Sequence, residues 1–216
     1  MAKNNGYKEV YIYGMDEAKA EQLKSQRPAW QAVHQAGGKV FAACRRGAFE
    51  IMGDLLDLAV VAYVPDPKEA EKYHRVGQQI FCYDYPQVVP EEPETFRRNY
   101  GLLLWKAGYD GAMPYAYQHS YKNIWNDFDD KVRDHVFAYP ALDGVIDTVQ
   151  WEGFREGVDD VRYVTTLQKA IDRAKASNPR SAAEAQEWLA KLDPRGDLDD
   201  VRAQLIKWIL LLNNKN

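Results

Sequence analysis

Leu58-Ala59-Val60-Val61-Ala62-Tyr63-Val64 is the most apolar strand-like run of the chain, uncharged and rich in β-branched side chains. A continuous apolar run this short suits a strand covered on both faces better than one half-exposed to water. Working outward, Lys39-Val40-Phe41-Ala42-Ala43-Cys44 upstream and Gln79-Ile80-Phe81-Cys82-Tyr83 downstream read as strands of the same kind. Val10-Tyr11-Ile12-Tyr13-Gly14 precedes them, and Tyr109-Asp110-Gly111-Ala112-Met113-Pro114-Tyr115 begins a fifth. Helical patterns fill the gaps: Glu17 to about Gln35, ended by Gly37-Gly38, then Ala48 to Leu56. A third starts at Pro67, a favourable first helical position, and runs to Gly77. The fourth, Pro93 to Ala107, carries Phe96, Tyr100, Leu103 and Leu104 at helical spacing.

Strands recurring every ~20–35 residues with helices between them specify a parallel α/β sheet. The expected fold class is α/β: a partial (β/α)8 barrel of the TIM type, with about five parallel strands and helices at its C-terminal end. A full barrel would need eight units and about 250 residues. After a short extended piece near Gly144 to Val149, a long helix is expected from Trp151 to Ala176. Two more follow, Ser181 to Leu192 and Leu198 to Leu212, the first with Ser181 as N-cap and Glu184 completing a capping box. Residues 1–176 are therefore read as the partial barrel and 177–216 as a helical extension packed on it.

Composition narrows the function classes. Apolar residues make up 46% of the 216 and charged residues 28%, an ordinary globular balance. A net charge of -4 offers no basic patch for nucleic acid or an anionic membrane. No stretch approaches the ~20 apolar residues of a membrane helix, and the opening residues show no signal-peptide pattern, so a cytoplasmic setting is expected for the chain as it stands. Cys44 and Cys82 have neither metal-site spacing nor a nearby histidine, and they read as buried thiols. No glycine-rich phosphate loop, Gly-x-Ser-x-Gly elbow or HExxH stretch occurs. No cofactor and no metal are expected.

The chemistry-bearing stretch is Tyr11-Ile12-Tyr13-Gly14-Met15-Asp16-Glu17, where two adjacent carboxylates fall at the change from strand to helix. That position is the ligand-binding edge of parallel sheets. Two readings stand: Asp16 as a helix N-cap with Glu17 favouring the helix dipole, or the two together as an acid pair. Tyr83, Tyr85, Tyr115, Tyr117, Tyr121 and Trp125 also fall at or after strand ends, with Gln118, His119 and Asn123 interspersed. As a group they suit a carbohydrate cleft, because sugar rings stack their C–H faces on aromatics. In the long helix, Glu152 and Arg155 stand three residues apart, a spacing that allows an ion pair at the helix start, although such charges more often form a solvated helix face. His34 and His74 read as bystanders in helices.

Tyr139-Pro140-Ala141-Leu142-Asp143-Gly144-Val145-Ile146 and Trp151-Glu152-Gly153-Phe154-Arg155-Glu156-Gly157-Val158-Asp159-Asp160-Val161-Arg162-Tyr163 resemble the closing strand and helix of the glycoside hydrolase family 123 catalytic domain and its relatives. Arg97 through Gly101, Trp105 and Tyr109-Asp110-Gly111 resemble the preceding helix and strand, and Asp16-Glu17 the catalytic pair. The resemblance implies a retaining exo-hexosaminidase that uses substrate-assisted catalysis on 2-acetamido sugars, with Glu17 as general acid and Asp16 orienting the acetamido group. It also matches Tyr83 and Tyr85 to the aromatic strand end before the helix of Arg97, and makes Glu152 and Arg155 supports of the rim. With Tyr115, Tyr117, His119 and Trp125 of the aromatic group, Tyr83, Tyr85 and Glu152 are the expected substrate-binding residues. Gln150 and Ala18 stand where the family has arginine and proline. The match starts at what would be the fourth barrel strand. A homo-oligomer or a missing N-terminal half is thus an expected partner, beside a carbohydrate ligand. The alternative is a carbohydrate-binding or structural barrel remnant without catalysis.

Overall fold

A computed structural model describes residues 3–89 and 91–214. The chain separates into two compact units, Met1–Pro90 with Ala107–Ile146, and Glu91–Lys106 with Asp147–Asn216. Residue 176, where the sequence places the end of the barrel portion, falls within the second unit.

The first unit is built on five strands: β1 (Tyr11–Tyr13), β2 (Lys39–Cys44), β3 (Leu58–Val61), β4 (Gln79–Cys82) and β5 (Gly111–Ala112). They lie in the order β1-β2-β3-β4-β5, each parallel to the next. Five parallel strands followed by C-terminal helices match the expectation. The sheet is open, with β1 and β5 at its edges and no barrel closure among the described residues.

Connecting helices are α1 (Ala20–Ser25), α2 (Arg27–Gln35), α3 (Ala48–Met52) and α4 (Pro67–Arg75). The single helix expected from Glu17 to Gln35 is two, with Pro28 in the first turn of α2, because proline cannot donate into the preceding turn. Along β2 the burial alternates, and Val40, Ala42 and Cys44 are buried. Ala42 packs on the same side as Trp30 of α2. On the opposite face Leu58, Val60 and Tyr83 form a cluster with Tyr11, Phe41 and Phe81. Each face of β3 is therefore covered, which explains the unbroken apolar run. Cys44 and Cys82 are buried free thiols, and burial pushes each up to about 12.

Asp57 and Asp110 secure the amino edge in the same way. Asp57 Oδ2 accepts from the Val40 amide at 2.7 Å and meets His34 Nε2 at 2.7 Å. Asp110 Oδ2 accepts from the Ile80 amide at 2.9 Å and meets His74 Nε2 at 3.0 Å. Four short strands complete this unit: β6 (Gln118–His119) antiparallel to β7 (His135–Val136), and β8 (Ala138–Pro140) beside β9 (Val145–Asp147), whose last residue enters the second unit.

The second unit is helical: α5 (Pro93–Arg98), a π-helical turn (Asn99–Leu103), α6 (Leu104–Lys106), α7 (Val149–Ala174), α8 (Pro179–Lys191) and α9 (Leu198–Asn213). Asn178, not Ser181, caps α8: its side chain accepts from the Ser181 amide, and Pro179 takes the first helical position. Gly153 and Gly157, four residues apart on α7, let the backbone of α5 approach; a Cβ at Gly153 would stand 2.0 Å from Pro93 O. Asp160 is fully buried and accepts from Arg97 Nε at 2.8 Å and Arg202 Nε at 2.6 Å, tying α7 to α5 and α9. Leu102, Val164, Leu167, Ile171, Leu189 and Leu205 form the core. Among the described residues no helix is long and apolar enough to cross a membrane.

Candidate active site

All five parallel strands deliver their following residues to the carboxyl edge of the sheet, where such sheets bind ligands. A cavity of about 560 Å³ opens there, lined by Asp16 and Glu17 after β1, Ala43 of β2, Val60 of β3, Tyr83 after β4 and Tyr115 after β5.

The turn that presents the acid pair is fixed from both sides. The Gly14 amide donates to Phe41 O at 2.8 Å, and the Glu17 amide donates to Ala43 O at 3.0 Å. Gln26 Oε1 accepts from the Met15 amide at 2.8 Å and from Trp30 Nε1 at 3.2 Å. A Cβ at Gly14 would come within 2.7 Å of Trp30 Cζ2, so the chain can pass the indole only as glycine. Glu17 itself has φ of 43°, a left-handed conformation uncommon outside glycine. Such conformations cost of order 1–3 kcal/mol and gather at functional sites. Helix α1 starts only at Ala20, with Lys19 at the cap position. Asp16 is therefore not an N-cap, and of the two sequence readings the cap is excluded.

Three side chains orient the pair. Tyr13 hydroxyl donates to Asp16 Oδ1 at 2.6 Å, its ring resting on Phe41 with centroids 4.7 Å apart. Burial, aided by the bond to Asp16, pushes the Tyr13 phenol up to about 12, so it stays a donor at any working pH. Tyr83 hydroxyl donates to Glu17 Oε1. Arg45, which directly follows β2, donates to Glu17 Oε2 at 2.7 Å and to the Glu17 carbonyl at 3.2 Å.

Of the residues singled out in the sequence, Tyr83, Tyr115 and Tyr117 line the cavity with Asp16 and Glu17. Tyr85 is half-buried two residues beyond Tyr83, where its peptide bond to Pro86 is cis, as is that between Tyr115 and Ala116. His119 stands behind the lining, its ring 5.4 Å from Tyr115 and stacked 6.2 Å from the buried His135. Trp125 stacks on Tyr139 with centroids 5.1 Å apart. Glu152 belongs to the second unit, where it accepts from Arg155 Nε at 2.9 Å. Sequence reasoning missed Tyr13 and Arg45, which orient the pair, and Gln87, which lines the cavity. The same strand-end position that pointed to Asp16 would have pointed to Arg45. Among the described residues no three His, Cys, Asp or Glu side chains come together as a metal-binding group.

A parallel α/β sheet with two adjacent carboxylates and converging tyrosines at its carboxyl edge has the layout by which α/β proteins hold ligands. The family model for "Glycoside hydrolase 123, catalytic domain" matches residues 1–167, and the chain belongs to that family. A search of curated proteins gives no match.

Proposed function

We propose that this chain acts as a retaining hexosaminidase on terminal 2-acetamido sugars, with the sugar's own acetamido group as nucleophile. The observation that carries the reading is the adjacency of Asp16 and Glu17 over the cavity, each held by a tyrosine hydroxyl. The acetamido oxygen attacks the anomeric carbon as the bond to the leaving oxygen breaks. Glu17 gives its proton to that oxygen. Asp16, with Oδ1 occupied by Tyr13, has Oδ2 to accept the acetamido N–H and to balance the charge of the oxazolinium. Glu17 then takes a proton from the water that opens the ring, and configuration is retained. Families of this type are exceptions to the two-carboxylate scheme, because the substrate replaces the enzyme nucleophile. Self-association through the open sheet edges would complete the cavity wall.

A specific observation favours a second reading, a sugar-binding protein without turnover. Both Glu17 oxygens are engaged, one by Tyr83 and one by Arg45, so a substrate must displace one partner to be protonated. Turnover of aryl 2-acetamido-2-deoxy-glycosides separates the two. Release of the aryl group, abolished in Glu17→Gln, supports the hydrolase; binding of the sugar with no release by the parent chain supports the second.

A further inference from the structure

Trp125 is 57% exposed, yet its setting is fixed. Its ring stacks on Tyr139 at an interplanar angle of 19°. Asn123 Oδ1 accepts from the Trp125 amide at 3.1 Å, and the Asn123 amide donates to Asp129 Oδ2 at 3.0 Å. Lys122 Nζ closes the same loop on Asp129 O at 2.6 Å, and Asp134 accepts from the Tyr121 amide at 3.1 Å. An indole left in water loses burial that a core position would give it. Holding its loop with polar bonds reduces the ordering cost of using it for contact.

The platform continues the rim of the cavity. Phe137, one residue before β8, donates its amide to the carbonyl of Tyr117, a cavity-lining residue, at 2.9 Å. Tyr139 lies two residues further along. Tyr115, also at the cavity, touches His119 at 5.4 Å, and His119 touches the exposed Tyr121 at 4.8 Å. Two aromatic pairs thus stand next to the cavity lining, Tyr121 with His119 behind Tyr115, and Trp125 with Tyr139 beyond Tyr117 and Phe137.

We infer that Trp125, stacked on Tyr139, is a binding platform for a second or third sugar ring, so that the chain takes oligosaccharides in preference to single glycosides. The proposal rests on the hexosaminidase reading for what fills the cavity. A neutral glycan fits better than a nucleic acid, whose bases could also stack, because the chain carries a net charge of -4. Hydroxyl and amide groups of Tyr121, Asn123 and Asn126 stand in the same loop to meet sugar hydroxyls.

The test uses the full chain carrying Glu17→Gln, so that binding is read without turnover. Two ligands are titrated by calorimetry: a methyl 2-acetamido-2-deoxy-glycoside, and a linear trisaccharide ending in the same sugar. Adding Trp125→Ala should weaken the trisaccharide about tenfold, the loss of one stacked ring, and leave the methyl glycoside unchanged. Trp125→Phe, which keeps a ring, should recover most of the loss. Equal trisaccharide affinity with and without Trp125 overturns the platform, as does trisaccharide binding no tighter than the methyl glycoside. If the parent chain turns over no aryl glycoside while Trp125→Ala still weakens the trisaccharide, the hydrolase reading falls and the platform stands. If neither ligand binds, both fall.

Discussion

Tyr13 hydroxyl donates to Asp16 Oδ1 at 2.6 Å across a turn of three residues, so strand and carboxylate are fixed by one side chain. A charge-assisted hydrogen bond of this kind is worth about 1.5–3 kcal/mol. If Asp16 orients the acetamido group, Tyr13→Phe should lower kcat for an aryl 2-acetamido-glycoside by roughly 10–100-fold, since that range corresponds to the bond's energy. KM should move little, because the ring that lines the cavity stays. A rise in KM with kcat intact would show that Tyr13 contacts substrate instead of positioning Asp16.

The two glycines of α7 carry a stability prediction. A Cβ at Gly157 would meet Arg97 O at 2.7 Å and one at Gly153 would meet Pro93 O at 2.0 Å, and in each case the obstacle is backbone. Gly153→Ala should therefore cost at least about 3 kcal/mol in urea denaturation, at the upper end of overpacking penalties. Gly157→Ala should cost less. Alanine at an open helix position would instead stabilise by up to about 1 kcal/mol, so the sign alone decides.

The sequence resembles its family most closely in Trp151 to Tyr163, and the structure shows why that stretch reads so clearly. Gly153 and Gly157 admit the α5 backbone, and Asp160 joins Arg97 and Arg202, so each residue answers a packing demand. Strand β3 was legible because burial on both faces of a sheet leaves a plain apolar signature. Strand β2 was legible to the residue because Gly37-Gly38 ends the helix just before its apolar run. Asp16 and Glu17 were legible only as a strand-end pair. The orientation of Glu17 depends on Tyr83, 66 residues away, and on Arg45, 28 residues away, contacts that no local pattern encodes. His34 and His74 look like bystanders in the helices. Yet His34-x-x-Gly37-x-x-Val40 and His74-x-x-Gly77-x-x-Ile80 share one spacing, and each places a histidine on the aspartate that caps the strand.

That shared device predicts matched losses. Asp57→Ala would leave the Val40 amide without its acceptor, and Asp110→Ala would do the same to Ile80. An unsatisfied strand amide costs about 1–3 kcal/mol. Val40 and Ile80 are equally buried, but Asp57→Ala should sit at the upper end, because Asp57 leads into the central strand β3, while Asp110 leads into the edge strand β5. Chemical denaturation of the two variants checks both size and order. An equal or reversed order would mean that the edge position does not soften the loss.

His135 gives the chain a pH dependence with a defined sign. Burial first, and then the neighbouring His119, holds its imidazole below the ordinary value of 6.5. Its Nδ1 is buried without a hydrogen-bond partner, and Asp134 beside it is buried too. In the unfolded chain His135 takes up a proton as pH falls through about 6.5, whereas the folded state resists it. The unfolded state then binds more protons, so stability rises with pH across this window and falls on acidification. The penalty is absent above about pH 7.5, where neither state is protonated. Unfolding midpoints measured from about pH 7.5 down to 5, above the range of most carboxylates, should decline in the parent chain. His135→Gln, which cannot be protonated, should flatten that decline while leaving Tyr115 at the cavity. An unchanged slope would mean that another group sets the acid response, and that the ring pair behind Tyr115 is indifferent to its charge.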